Sequence, residues 1–202
     1  MRKYIIPIVV CVVSMILWSS YYKLEYASAA NNLSNHSISF RVVANSNSQL
    51  DQNIKKYVRD EICTFINNCS SNLDSAKKVT NFIESNKKLI VSKANKALAR
   101  IGVNYSATLV YQTDSFPDRT YNDIDFPSGY YTGYILILGK GKGHNWWCVL
   151  YPPLCFVDTS TGVVPDSSKE RLKESLTDTQ YQTIVKYRFK YLTFLNDLIS
   201  SK

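Results

Sequence analysis

Histidine is almost absent from this chain, with only His36 and His144 among 202 residues. That shortage argues against a zinc centre, which draws its ligands from His, Cys and carboxylates at short recurring spacings. Cysteine does not make up the deficit, because Cys148 and Cys155 form a Cys-x6-Cys spacing that zinc sites do not use. No cofactor is expected. Lys/Arg-rich blocks and nucleic-acid-binding motifs are missing too, which removes nucleic acid from the expected partners despite a formal net charge of +8. There is no internal repeat and no low-complexity tract.

Charge itself is missing from one long stretch. Arg2 and Lys3 precede Tyr4 to Tyr22, which holds no charged residue and includes Ile5-Ile-Pro-Ile-Val-Val-Cys-Val-Val-Ser-Met-Ile-Leu-Trp18. A basic start before an apolar run is a secretory signal or an uncleaved membrane anchor. The run approaches the roughly 20 apolar residues that span a bilayer. Ala27-Ser28-Ala29 offers an A-x-A cleavage site, so export with cleavage after Ala29 is favoured over retention as an anchor. Residues 1–29 are therefore read as signal or anchor, 30–36 as a polar linker and 37–202 as one domain. Removing residues 1–29, with Arg2, Lys3, Lys23 and Glu25, leaves a net charge of +6. That surplus would suit an anionic membrane surface or an acidic partner, but the solvated surface of an exported protein is the favoured reading.

Export changes the reading of cysteine, because disulfides persist outside the cytosol. Cys11 lies in the apolar stretch; Cys63, Cys69, Cys148 and Cys155 remain, an even number that suggests pairing. Cys63 and Cys69 would sit about 9 Å apart along a continuous helix, too far for a bond. They pair only if the helix ends near Asn67-Asn68; otherwise Cys63 is a free buried thiol.

Hydrophobic periodicity organises the rest. Ile38 to Ala44 alternates as a strand, and Ser48 with Asp51 forms a capping-box start for an amphipathic helix over 49–67. A second helix runs from Asp74 to about Ile101 and stops at Gly102. Strands follow at 105–111 and 130–138, separated by the turn-rich Ser115–Arg119. Asn145 to Leu150 is expected to pair with 130–138, with Gly139-Lys-Gly-Lys-Gly143 as the hairpin connection. A loop spans 158–168, a short helix 168–176, a strand 185–191 and a terminal helix 192–200. The expectation is α+β: a single domain with an antiparallel sheet and two long helices packed on it.

The rarest residue types gather in one place. Gly141-Lys-Gly-His-Asn-Trp-Trp-Cys-Val-Leu-Tyr-Pro-Pro-Leu-Cys-Phe156 holds two of the three tryptophans and two of the five cysteines. In a structural reading, a Cys148–Cys155 disulfide closes a loop already stiffened by Pro152 and Pro153, contributes roughly 2–3 kcal/mol, and projects Trp146, Trp147 and Tyr151 as interface anchors. Adjacent strand residues face opposite ways, so one tryptophan is expected to be buried and the other free. In an enzymatic reading, His144 and Cys148 form a nucleophile pair oriented by Asp158 or Asn145; an oxidised Cys148 would defeat it. Phe156-Val-Asp-Thr-Ser160 resembles an aspartic-protease loop, but Ser160 stands where glycine is required and no second such loop exists.

The same segment, extended to Asp158, resembles the hallmark of the stage II sporulation protein R family. Phe40-Arg-Val-Val-Ala-Asn-Ser-Asn-Ser48 with Lys55-Lys-Tyr-Val-Arg-Asp60 resembles that family's first strand and helix, and Tyr121-Asn-Asp-Ile-Asp-Phe-Pro-Ser-Gly-Tyr130 its F-P-x-G-x-Y element. The match covers about residues 37–160; Cys63 and Cys69 fall outside the pattern, and the region after Ser160 is less distinctive. The resemblance implies a non-enzymatic signal of endospore formation, made in the forespore and exported into the space between forespore and mother cell. There such proteins trigger a membrane-embedded sporulation aspartic protease, close to the membrane surface, to process the sigma-E precursor. On that reading His144, Asn145, Trp146, Trp147, Tyr151 and the Cys148–Cys155 loop form the contact surface, with Arg41 and Asn45 in a second patch. The competing reading is an exported Cys–His hydrolase acting on cell wall or peptide.

Overall fold

A computed structural model describes residues 2–69, 73–121, 123–155 and 164–185. The chain opens with helix α1 (Arg2–His36), enters strand β1 (Ile38–Val43), and continues through helices α2 (Gln49–Asn68) and α3 (Ala76–Arg100). Strand β2 (Ala107–Phe116), the short pair β3 (Arg119–Tyr121) and β4 (Ile124–Phe126), β5 (Gly129–Leu138) and β6 (Asn145–Tyr151) follow. Helices α4 (Asp166–Glu174) and α5 (Asp178–Ile184) close the described part. The α+β, single-domain expectation holds, with two long helices on the sheet.

Local chemistry sets these boundaries. Ser48 caps α2 by accepting the Asp51 amide N–H, and Ser75 does the same for α3 with Lys78. Gly102, at φ +71°, ends α3 in the left-handed conformation, with its N–H on the Ala99 carbonyl and that of Val103 on Leu98. Helix α5, not foreseen, has a full capping box between Thr177 and Gln180.

One pairing differs from the expectation. The sheet order is β2-β5-β1-β6, so β1 lies between β5 and β6 and the expected hairpin does not form. Strand β1 runs parallel to β5 (Arg41 beside Ile135) and antiparallel to β6 (Arg41 beside Trp147), which makes the sheet mixed rather than antiparallel. The segment Gly139–His144 instead steps over the end of β1, where Lys142 and Gly143 donate to the Asn45 and Ala44 carbonyls. Two inter-strand spacings of about 4.8 Å are well within its reach. Sequence proximity favoured the hairpin; the parallel β1–β5 pair, buried on its helix face, displaced it.

The sheet separates two cores. Phe40, Val42, Leu109, Tyr134, Leu136, Cys148 and Leu150 face α2 and α3, packing on Val58, Ile62, Ile83 and Ile90. On the opposite face, Phe116, Tyr131 and Val149 pack with Phe126, Leu172, Ile184 and the last turns of α1. Residues 30–36, expected as a linker, are helical, and Leu33 is 0% exposed. The apolar pair Ala29 and Leu33 explains this: four residues apart, they share one helix face. Residues 4–24 of the same helix are exposed and apolar enough, by length and composition, to cross a membrane. The Ser115–Arg119 turn is displaced, since β2 continues to Phe116. Of the expected strand 185–191 only Val185 is described, bridging Ile124; the expected helix 192–200, Asp158 and the Phe156–Ser160 loop lie outside the described residues.

Candidate functional site

The signature segment is strand β6 and the loop behind it, held at the edge of the sheet. Cys148 and Cys155 are disulfide-bonded, with 5.1 Å between their Cα atoms. The Val149 carbonyl accepts N–H groups from both Leu154 and Cys155, so the stapled loop folds back onto the strand edge. Cys148 carries no thiol, and His144 lies four residues earlier, roughly 13 Å of extended chain. The two expected partners of a nucleophile pair are thus held apart. Cys63 and Cys69 are both free, Cys63 buried and Cys69 exposed; burial pushes the Cys63 thiol up to about 12.

The two tryptophans point to opposite faces, and both are half-buried rather than one buried and one free. Trp146 rests on the helix-side core with the Arg59 guanidinium 4.9 Å from its ring centre. Trp147 packs edge-on to Phe116 at 5.4 Å, with the Arg41 guanidinium 4.6 Å above its ring. Arg41 also forms an ion pair with Asp114 on β2. Each half-buried indole thus carries its own cation–π partner, an arrangement worth ~0.5–2 kcal/mol per pair.

Tyr151 does not project. It is 7% exposed, and its hydroxyl donates to the Asp74 carbonyl. Trp147 and Val149 face the second core, but the β1–β6 register shifts between Val149 and Tyr151, and Tyr151 follows Ile38 into the helix-side core, so it supports the site from behind. Asn45 is likewise committed: its amide nitrogen donates to Asp51, and its amide oxygen accepts the Lys140 N–H. His144 and Asn145 are exposed. His144 is fixed through its backbone, donating to Asn47 Oδ1 and accepting from Lys55 Nζ.

Beneath Asn45 lies a polar hub that residue types alone did not reveal. Asp51, 6% exposed, accepts from Ser46, Asn45 and the Tyr105 hydroxyl. Hydrogen bonds from Ser46, Tyr105 and Asn45 hold its carboxyl below the usual range, against burial, which pushes it up. Burial lowers the neighbouring Lys55 ammonium. The only signal for Asp51 was its place in the capping box; Lys55 and Arg59 were marked only as part of the Lys55–Asp60 resemblance, and nothing marked Asp114 beyond its charge.

A stapled edge strand flanked by two stacked tryptophans, on a domain led by a long apolar helix, is the arrangement that the family comparison must explain. Residues 34–161 match the model of the family described as stage II sporulation protein R. The chain belongs to the stage II sporulation protein R family. It is 34% identical over 158 residues to the stage II sporulation protein R of Bacillus subtilis (strain 168), covering 75% of this chain and 70% of that relative. Membership gives the chain a role in sporulation. No solved structure matches it.

Proposed function

We propose that this protein is an exported signal of endospore formation that activates a membrane-embedded aspartic protease, the enzyme that processes the sigma-E precursor, and that it does so by binding. Its place of action is the space between forespore and mother cell, close to the membrane surface. The observation that carries the reading is the Cys148–Cys155 bond, which turns the one candidate nucleophile into a staple beneath Trp146 and Trp147. Family membership supports the sporulation role, and the apolar N-terminal helix supports export. The contact surface is the N-terminal part of edge strand β6, with His144, Asn145 and a tryptophan on each face, and Arg41 beside it; Tyr151 and Asn45 hold its shape.

The test is complementation of a sporulating strain that lacks its own family member, with sigma-E precursor cleavage followed by immunoblot. A Trp146→Ala, Trp147→Ala chain that folds, by circular dichroism, is expected to leave the precursor uncleaved; normal cleavage by that folded variant overturns the contact assignment. Cys148→Ser and Cys155→Ser are expected to fail equally. Loss with Cys148→Ser alone would identify a nucleophile and restore the hydrolase.

A further inference from the structure

The loop Gly139–Gly143 is exposed yet pinned along its whole length. Six successive backbone N–H groups are committed: Gly139 to the Ser106 carbonyl, Lys140 to Asn45 Oδ1, Gly141 to Leu138, Lys142 to Asn45, Gly143 to Ala44 and His144 to Asn47 Oδ1. Gly141, at φ +59°, lies so close to the sheet that a Cβ there would meet Ile137 Cγ2 at 2.6 Å. The glycines take up the close contacts, and Lys140 and Lys142 between them are left exposed. No carboxylate pairs with either lysine among the described residues.

Between this loop and Arg41 runs a groove of about 360 Å³ on the sheet face that the second core leaves uncovered. Its floor is Val43, Ile135 and Ile137, and its rim carries Lys140, Lys142 and Arg41. The single acid nearby, Asp114, is already bonded to Arg41. An immobilised loop loses little entropy when its cations engage a partner, so such a rim is preorganised for an anion.

We propose that this groove binds an extended, acidic segment of the partner protein, its apolar side chains on the Val43–Ile135–Ile137 floor and its carboxylates at Lys140 and Lys142. The inference rests on the reading that the protein acts by binding. Two observations favour a polypeptide over an anionic lipid surface. A narrow apolar strip lies beside a polar rim that includes Gln112 and Asn145 as well as the lysines, a pattern that suits the alternating apolar and polar side chains of an extended chain. The groove also lies at the end of β1 opposite the one where α1 enters, so the membrane-length helix and the basic rim are separated by a strand length, roughly 17 Å.

The test uses the full chain in detergent micelles and two fluorescein-labelled dodecapeptides, one alternating Glu with Leu and one alternating Gln with Leu, read by fluorescence anisotropy. The Glu peptide is expected to bind at least tenfold more tightly than the Gln peptide, and the preference to shrink at 0.5 M salt. Lys140→Ala, Lys142→Ala should abolish the preference without changing the circular dichroism spectrum. Equal binding of both peptides, or an unchanged preference in the variant, overturns the proposal. So does a loss in the variant confined to binding of phosphatidylglycerol vesicles, which would assign the rim to the membrane. The same variant in the complementation strain separates the two readings: intact precursor cleavage refutes the groove alone, whereas failure of the unaltered chain to support cleavage refutes the signalling function itself.

Discussion

Arg41 links the two edge strands of the sheet, its guanidinium stacking on Trp147 of β6 and pairing with Asp114 of β2 across the intervening β5. One side chain thus fixes the pose of the indole that the proposed contact surface presents. Its Nε has no hydrogen-bond partner, so the guanidinium is held through Nη2 and by the ring.

Truncating this unit should separate packing from recognition. Trp147→Ala removes the half-buried ring and its contact with Phe116, and is expected to cost about 2 kcal/mol in urea denaturation. Trp147→Phe keeps a ring in place and should cost less than half as much. If both lose precursor cleavage while Trp147→Phe stays near full stability, the indole is needed for recognition. Full cleavage by Trp147→Phe would mean that position 147 serves packing alone.

The cysteines should divide into three classes on alkylation. Cys148 and Cys155 are joined and should take up no iodoacetamide without reduction. Exposed Cys69 should react readily at pH 8, and Cys63, buried with its thiol pushed up to about 12, only after unfolding. Peptide mass mapping reads all four positions. A free, reactive Cys148 in protein exported from cells would remove the staple. Breaking the bond by either serine substitution is expected to cost roughly 2–3 kcal/mol, with no further loss in the double variant.

Acid should loosen the hub beneath the loop. The folded Asp51 carboxyl titrates below its unfolded value, so its contribution is fully present above about pH 4 and is lost as pH falls through the lower folded value. Asp51→Asn keeps the shape but weakens bonds from Ser46, Asn45 and Tyr105, and should cost on the order of 1–3 kcal/mol at pH 7. Thermal unfolding from pH 7 to pH 3 checks the sign: the gap between the two proteins should narrow towards acid. A constant gap would place the stabilisation elsewhere.

Most of the fold was legible because its elements carry strong local signals. The Ser48 cap, the stripe from Ile54 to Ile66 and the alternation of β1 and β6 gave boundaries close to those observed. Strand order was not legible, since nothing local distinguishes a β5–β6 hairpin from one opened by β1. The small β3–β4 pair was hidden in a stretch rich in turn residues. The site was half legible: rarity marked Trp146, Trp147 and the cysteine pair, but a register shift in the β1–β6 pairing, which no local pattern announces, turns Tyr151 into the helix-side core. The cations over the indoles come from β1 and α2, and only the tertiary fold brings Arg41 and Arg59 to them.

The end of α1 gives the last prediction. Leu33 and Ala29 are fully buried in the second core, and Ser28 accepts from Gln180 while Tyr22 donates to the Thr183 carbonyl. Leu33→Ala should therefore cost about 2–4 kcal/mol, as for a core leucine rather than a linker residue. A chain beginning at Ala30 keeps Leu33 and the Asn32–Gln180 bond but loses Ala29, Ser28 and Tyr22. Those losses amount to about 2 kcal/mol, or roughly 4–8 °C in the unfolding temperature. Calorimetry on the two chains in the same detergent decides the point. Equal unfolding temperatures would mean that the residues before Ala30 do not brace the domain and that it swings freely from the membrane-length helix. The expected drop would mean that helix and domain form one body, so a retained α1 would set the angle at which β6 and its tryptophans meet a partner at the membrane surface.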